Sequence, residues 1–163
     1  MSGPASIAKH PIHPMLIVFP VGLWFFSLIS DVIYAMRWGP TVWKDVAFYT
    51  MAGGIGGALL SAVPGLIDLV SLTDSRVKRI GIWHMIINLV AVALYSVNLW
   101  LRMPNTTTSI AIEPIWLSIA GVLFIGISGW LGGEMVHVHG VSVEQRPIDE
   151  LVRPQLSIVT IRS

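Results

Sequence analysis

The chain has 163 residues, 54% of them hydrophobic and only 12% charged, with a mean hydropathy of +0.74. A water-soluble domain of this size needs more charge to cover its surface, so the composition points to an exterior that faces lipid. The net charge of +1 gives no reason to expect nucleic acid as a partner, and the absence of cysteine excludes disulfides, thiolate metal sites, cysteine-ligated clusters and a Cys nucleophile.

In chain order, residues 1–14 form an N-terminal segment in which Pro4, Pro11 and Pro14 precede the first apolar run. Pro14 suits the opening turn of a helix. No small-x-small cleavage site follows that run, so it is expected to stay as a helix and not to leave as a signal peptide. Four apolar runs cover Met15–Met36, Val46–Leu72, Ile80–Leu101 and Ile115–Val136. Each reaches the ~20 residues needed to cross a hydrocarbon core of ~30 Å. Gly39-Pro40 separates the first two and Met103-Pro104-Asn105 the last two. Trp38, Trp43, Trp83, Trp100 and Trp116 fall at or near the run ends, as an interfacial aromatic belt requires. The expected fold is an all-α integral membrane four-helix bundle over residues 15–139, with both termini on one side. Residues 140–163 form an extramembrane tail. In that tail Pro147 and Pro154 disfavour a continuous helix, while Leu156, Ile158, Val159 and Ile161 form a β-prone run expected to meet the bundle or another chain.

The termini side carries Lys9, Arg76, Lys78 and Arg79, then Arg146, Arg153 and Arg162; the other side has Arg37, Lys44 and Arg102. Positive-inside bias therefore places both termini in the cytoplasm. Polar and small residues mark the expected seams. They are Pro20, Trp24, Ser27, Asp31 and Tyr34 in the first run, and Thr50, Gly54, Gly57, Ser61, Pro64 and Asp68 in the second. The third run offers His84, Asn88, Ala91, Tyr95, Asn98 and Arg102, and the fourth Gly126, Gly129 and Gly133. Those three glycines predict helix packing, or room for a flat cofactor. A parallel helix-pair repeat is also suggested, matching His13 with His84, Ala52-Gly53 with Ala120-Gly121, and Gly65 with Gly133.

All five histidines fall on the termini side. Neutral imidazole is a common metal ligand and an axial haem ligand, and a carboxylate commonly orients it from behind. The cofactor ligands are expected among His13, His84 and His139. A metal site would draw on His10, His13, His84, His139, Asp68 and Glu134, with Asp68 placed to orient His84. The bland alternative is an interfacial girdle, to which His10 and His137 fit best. Asp31, inside the first run, is expected to pair with Asn98 or Arg102, the alternative being a proton or ion path. There is no GxSxG, Walker loop or HExxH.

Three segments carry a resemblance. They are His10-Pro11-Ile12-His13-Pro14-Met15, Trp83-His84-Met85 with Asn88, and Gly129-Trp130-Leu131-Gly132-Gly133-Glu134 running to His139-Gly140. Together, over about His10 to Val143, they resemble a bacterial domain-of-unknown-function family of four-helix predicted membrane proteins. Some relatives continue into a Rieske iron–sulfur domain, which implies a redox setting; this chain holds no cysteine for such a cluster. The resemblance matches His10, His13, His84 and His139, and His137 less well. The expectation is a small redox or metal-binding subunit of a bacterial inner membrane, holding haem b or a transition-metal ion. It would pass electrons to a partner protein or quinone, within a homo- or hetero-oligomer, and would not act as a stand-alone enzyme. The competing classes are an accessory membrane protein without a cofactor and a small carrier using Asp31.

Overall fold

A computed structural model describes residues 5–7, 10–103 and 114–141. The β-prone run of the tail lies outside the described residues. Among the described residues the first elements are two short strands, β1 (Ser6–Ile7) paired antiparallel with β2 (His10–Pro11). They lead into α1 (Ile12–Leu16) and α2 (Val18–Ala35). These two helices make one span, Ile12–Ala35. They divide near Ile17 because Pro20 has no N–H for the Leu16 carbonyl. The other spans are α3 (Val42–Ser71), α4 (Ser75–Leu101) and α5 (Ile115–His137). All four spans are long and apolar enough to cross a membrane, and large side chains such as Phe19, Leu60, Leu89 and Leu123 lie exposed on their outer faces. The protein is therefore an integral membrane bundle with both ends of the described chain on one side.

The first three spans start earlier than the apolar runs do, at Ile12, Val42 and Ser75 in place of Met15, Val46 and Ile80. The third span begins at Ser75, where Asp74 caps α4 by accepting hydrogen bonds from the Arg76 and Val77 amides (2.8 and 3.1 Å). His84 thus lies well inside the helix, not one turn from its end. His13 sits in the first turn of α1 and not ahead of it.

The chain folds as two helical hairpins, α1–α2 with α3 and α4 with α5, packed side by side. Equivalent positions are 71 residues apart in their first helices (24 to 95) and 67 apart in their second (54 to 121). The repeat suggested by the sequence is present, but both expected matches in the second helices are one residue off: Gly121 corresponds to Gly54 and not Gly53, and Gly65 to Gly132 and not Gly133. The hydrogen bonds show the equivalence. Trp24 Nε1 donates to the Met51 carbonyl (3.2 Å), and Tyr95 Oη to the Ser118 carbonyl (3.3 Å). A side chain at Gly54 would fall inside the Trp24 indole, and one at Gly121 inside the Tyr95 ring. An approximate two-fold axis along the bundle relates the hairpins, so residues lying on it meet their own equivalents. Trp24 and Tyr95 do so at mid-bundle, stacked with ring centres 4.3 Å apart and planes 8° from parallel.

The seams foreseen for the first three spans are the buried ones, in Trp24, Ser27, Gly54, Ser61, Tyr95 and Asn98 among others. The fourth is different. Its buried face carries Ser118, Gly121, Ile125 and Ser128, whereas among the described residues nothing lies within 4 Å of a Cβ placed at Gly126, Gly129 or Gly133. At 3.6 residues per turn those three glycines lie roughly 100° around the helix from the buried stripe. Neither packing within the bundle nor a cofactor seat at its centre uses them.

Candidate functional site: a histidine pair on the bundle axis

Two further pairs of equivalent residues meet on the axis, one toward each end of the bundle. Away from the termini, Asp31 meets Arg102 (102 − 31 = 71). The guanidinium donates to both carboxylate oxygens, Nη1 to Oδ1 at 2.5 Å and Nη2 to Oδ2 at 2.9 Å. Arg102 Nε donates to Asn98 Oδ1 (2.8 Å), Asn98 Nδ2 to Ser118 Oγ (2.9 Å), and Ser118 Oγ to Asp31 Oδ2 (2.9 Å). The two ionised side chains are 3% and 2% exposed. An ion pair this dry is tolerable only when its remaining hydrogen-bonding capacity is also met, as it is here. This is the structural partnership expected for Asp31.

At the termini end His13 meets His84 across the diagonal of the bundle, with ring centres 6.2 Å apart and planes at 86°. His13 Nδ1 lies 2.8 Å from the Ser61 carbonyl, and His84 Nδ1 lies 2.9 Å from the Ser128 carbonyl. A carbonyl oxygen can only accept, so Nδ1 carries the proton on both rings and each neutral imidazole keeps its lone pair on Nε2. The two arrangements are equivalent residue by residue. Gly65 and Gly132 give the rings room, since a Cβ at either would lie 2.8 and 3.3 Å from the facing imidazole. The pair differs at two points: Asn88 Nδ2 lies 3.0 Å from His84 Nε2, and the Ser128 hydroxyl reaches His84 whereas the Ser61 hydroxyl donates to the Ala58 carbonyl instead. Ser128 Oγ adds a second contact to His84 Nδ1 at 2.9 Å.

The remaining candidate residues are not gathered around this pair. Among the described residues no group of three or more His, Asp or Glu side chains stands close enough to hold a metal ion. His10 is exposed on β2 and His137 is exposed at the end of α5. His139 lies just past α5, within electrostatic range of Asp74. The backbone of Glu134 helps close that helix end, its carbonyl accepting from the Val138 and His139 amides. Asp68 does not orient His84. It accepts the Ala5 amide at 3.2 Å and so ties the N-terminal hairpin to the end of α3. Backbone carbonyls take the orienting role expected of a carboxylate, so the histidine–carboxylate metal set is not assembled. The sequence offered no signal for the Ser61 and Ser128 carbonyls except the helix-pair repeat itself.

The two hairpins and their axial pairs define a class: a small polytopic membrane bundle with polar groups concentrated on an internal two-fold. Within that class the chain belongs to the family of predicted membrane proteins DUF2231, whose model matches residues 9–145. No curated protein and no solved structure matches the chain.

Proposed function

We propose that this protein is a membrane subunit that holds one metal centre between His13 and His84, with haem b as the leading candidate and a transition-metal ion as the second. One observation carries the reading: two imidazoles on the axis, each with Nδ1–H committed to a backbone carbonyl and its lone pair on Nε2. That is the tautomer and second-atom anchoring of metal-bound histidine. The two rings also lie on one axis with centres 6.2 Å apart, so His13 and His84 are the residues that would hold such a centre through Nε2. A bound haem would supply one-electron chemistry. The protein's part is to fix the ligands, exclude water and present the termini-side face to a partner protein or quinone. His139 is left as a candidate outer residue.

A visible spectrum of the detergent-purified protein tests this, with elemental analysis beside it. A Soret band that shifts on dithionite reduction and disappears in His13→Ala and His84→Ala supports the haem. Stoichiometric metal without a Soret band supports the ion. A clean protein spectrum with no bound metal overturns both. The second reading, an accessory bundle without a cofactor, is favoured by the complete hydrogen bonding of His84 through Ser128 and Asn88. For Asp31 the bidentate pairing favours a structural role over a carrier.

We place the protein in a bacterial inner membrane with its termini in the cytoplasm. Arg76, Lys78 and Arg79 on the termini side support this, set against Arg37 and Lys44 opposite, where Arg102 is held in the ion pair. A periplasm-only reporter fused to Ser163 should stay silent, and strong activity would reverse the orientation.

A further inference from the structure

We infer that Asn88 is a positioning residue that makes the two equivalent histidines unequal, leaving His13 as the entry ligand and holding His84 in reserve. The inference rests on the metal-site reading above. Asn88 donates through Nδ2 to His84 Nε2 at 3.0 Å, the atom that would bind a metal. The direction follows from the tautomer. With Nδ1–H fixed on the Ser128 carbonyl, Nε2 of the neutral ring can only accept, so the amide must present its NH2 group. His84 is therefore saturated at both nitrogens and binds a metal only after Asn88 withdraws. The equivalent position on the first hairpin is 88 − 71 = 17, occupied by Ile17, which has nothing to donate. Among the described residues His13 Nε2 has no hydrogen-bond partner.

The asymmetry is local. Both histidines share the same carbonyl anchor and the same facing glycine, so the bundle has built the same seat twice and then capped one of the two. A centre would engage His13 first, and the strength of the Asn88 hydrogen bond would set the fraction of bis-histidine ligation. Removing a hydrogen bond of ordinary net strength should tighten the second ligation about fivefold, with a larger effect if Asn88 finds no other partner when displaced.

The test titrates ferric haem, with Co2+ in parallel, into the full-length apoprotein in detergent. Affinity is read by absorption and coordination number by electron paramagnetic resonance. Asn88→Leu should raise affinity about fivefold and shift the haem toward the low-spin, two-histidine form. Ile17→Asn installs the missing cap on His13 and should move both readouts the other way. Ile17→Asn also keeps the test decisive if Asn88→Leu fails to fold. His13→Ala should cost more affinity than His84→Ala. If both histidine variants lose the probe but neither Asn88→Leu nor Ile17→Asn changes affinity or spin state, Asn88 is only a packing residue and the metal site stands. If the wild type takes up neither probe, or the histidine variants bind as well as it does, the metal site itself is overturned.

Discussion

Arg102 illustrates what a single side chain is asked to do in this bundle. It neutralises the buried side chain of Asp31, and Asn98 and Ser118 complete the ring of hydrogen bonds. Arg102→Met would leave an uncompensated buried carboxylate. The expected loss is about 3–5 kcal/mol, the range for breaking a buried pair from one side, measured by thermal or denaturant unfolding in detergent. An unchanged unfolding curve would mean that water reaches Asp31 in the membrane-embedded protein. Tyr95→Phe removes only the donation to the Ser118 carbonyl and keeps the stacked ring. Its cost should be about 1 kcal/mol, well below that of Tyr95→Ala, which also opens a cavity against Trp24. Most of the residues concerned were legible in the sequence, because a charge or an amide in an apolar run needs a partner. Which partner was not: Asn98 and Arg102 both stood at the right depth, and both turned out to be used.

At the scale of the helix, the glycines separate packing from exposure. Gly121 lies against the Tyr95 ring, while Gly126, one and a half turns further on, faces open space. Gly121→Ala should cost about 1–3 kcal/mol through overpacking, whereas Gly126→Ala should be neutral or slightly stabilising, since alanine is the better helix former. Equal effects of the two substitutions would contradict the hairpin register described above. Asp74 sets the start of α4. The Val77 and Arg76 amides hold its carboxyl below its ordinary 3.8, and His139 and Arg76 nearby act in the same direction. A carboxylate with a depressed folded pKa stabilises fully above its unfolded pKa and loses that contribution as pH falls through the folded value. Acidification below about pH 3.8 should therefore fray the first turn of α4, seen as faster amide exchange at Arg76 and Val77. Asp74→Ala should show the same exchange already at neutral pH, and Asp74→Asn should protect more than Asp74→Ala.

Over the whole molecule, the two-fold axis explains why opposite charges occupy equivalent positions. A residue on the axis meets its own counterpart, so Asp on both hairpins or Arg on both would bury like charges in contact. The Asp31–Arg102 difference thus allows the first hairpin to pair with the second and penalises pairing of two like hairpins from separate chains. The charge swap Asp31→Arg with Arg102→Asp should recover a large share of the stability lost by either single change, read from unfolding midpoints in detergent. Recovery should be incomplete, since Ser118 has no hydroxyl counterpart: its equivalent is Met51 (118 − 67). If the double variant is no better than the singles, the two charges do not act as a pair across the axis.

Hydropathy, length and the tryptophan belt determined the four spans and their membrane character from the sequence alone, because lipid leaves the backbone few choices. The same logic located three of the four polar seams and singled out His13, His84 and His139 as a group. Only the tertiary structure decided how the histidines divide. The fourth seam misled because glycine suits both a tight contact and an empty face, and a one-residue slip in the repeat hid the match of Gly65 with Gly132. His139 and Asp68 shared a membrane face with the pair, but membrane depth does not specify angle around the axis. That angle follows from the packing of Gly54 on Trp24 and Gly121 on Tyr95, which turns His13 and His84 toward each other and leaves the other candidates at the rim.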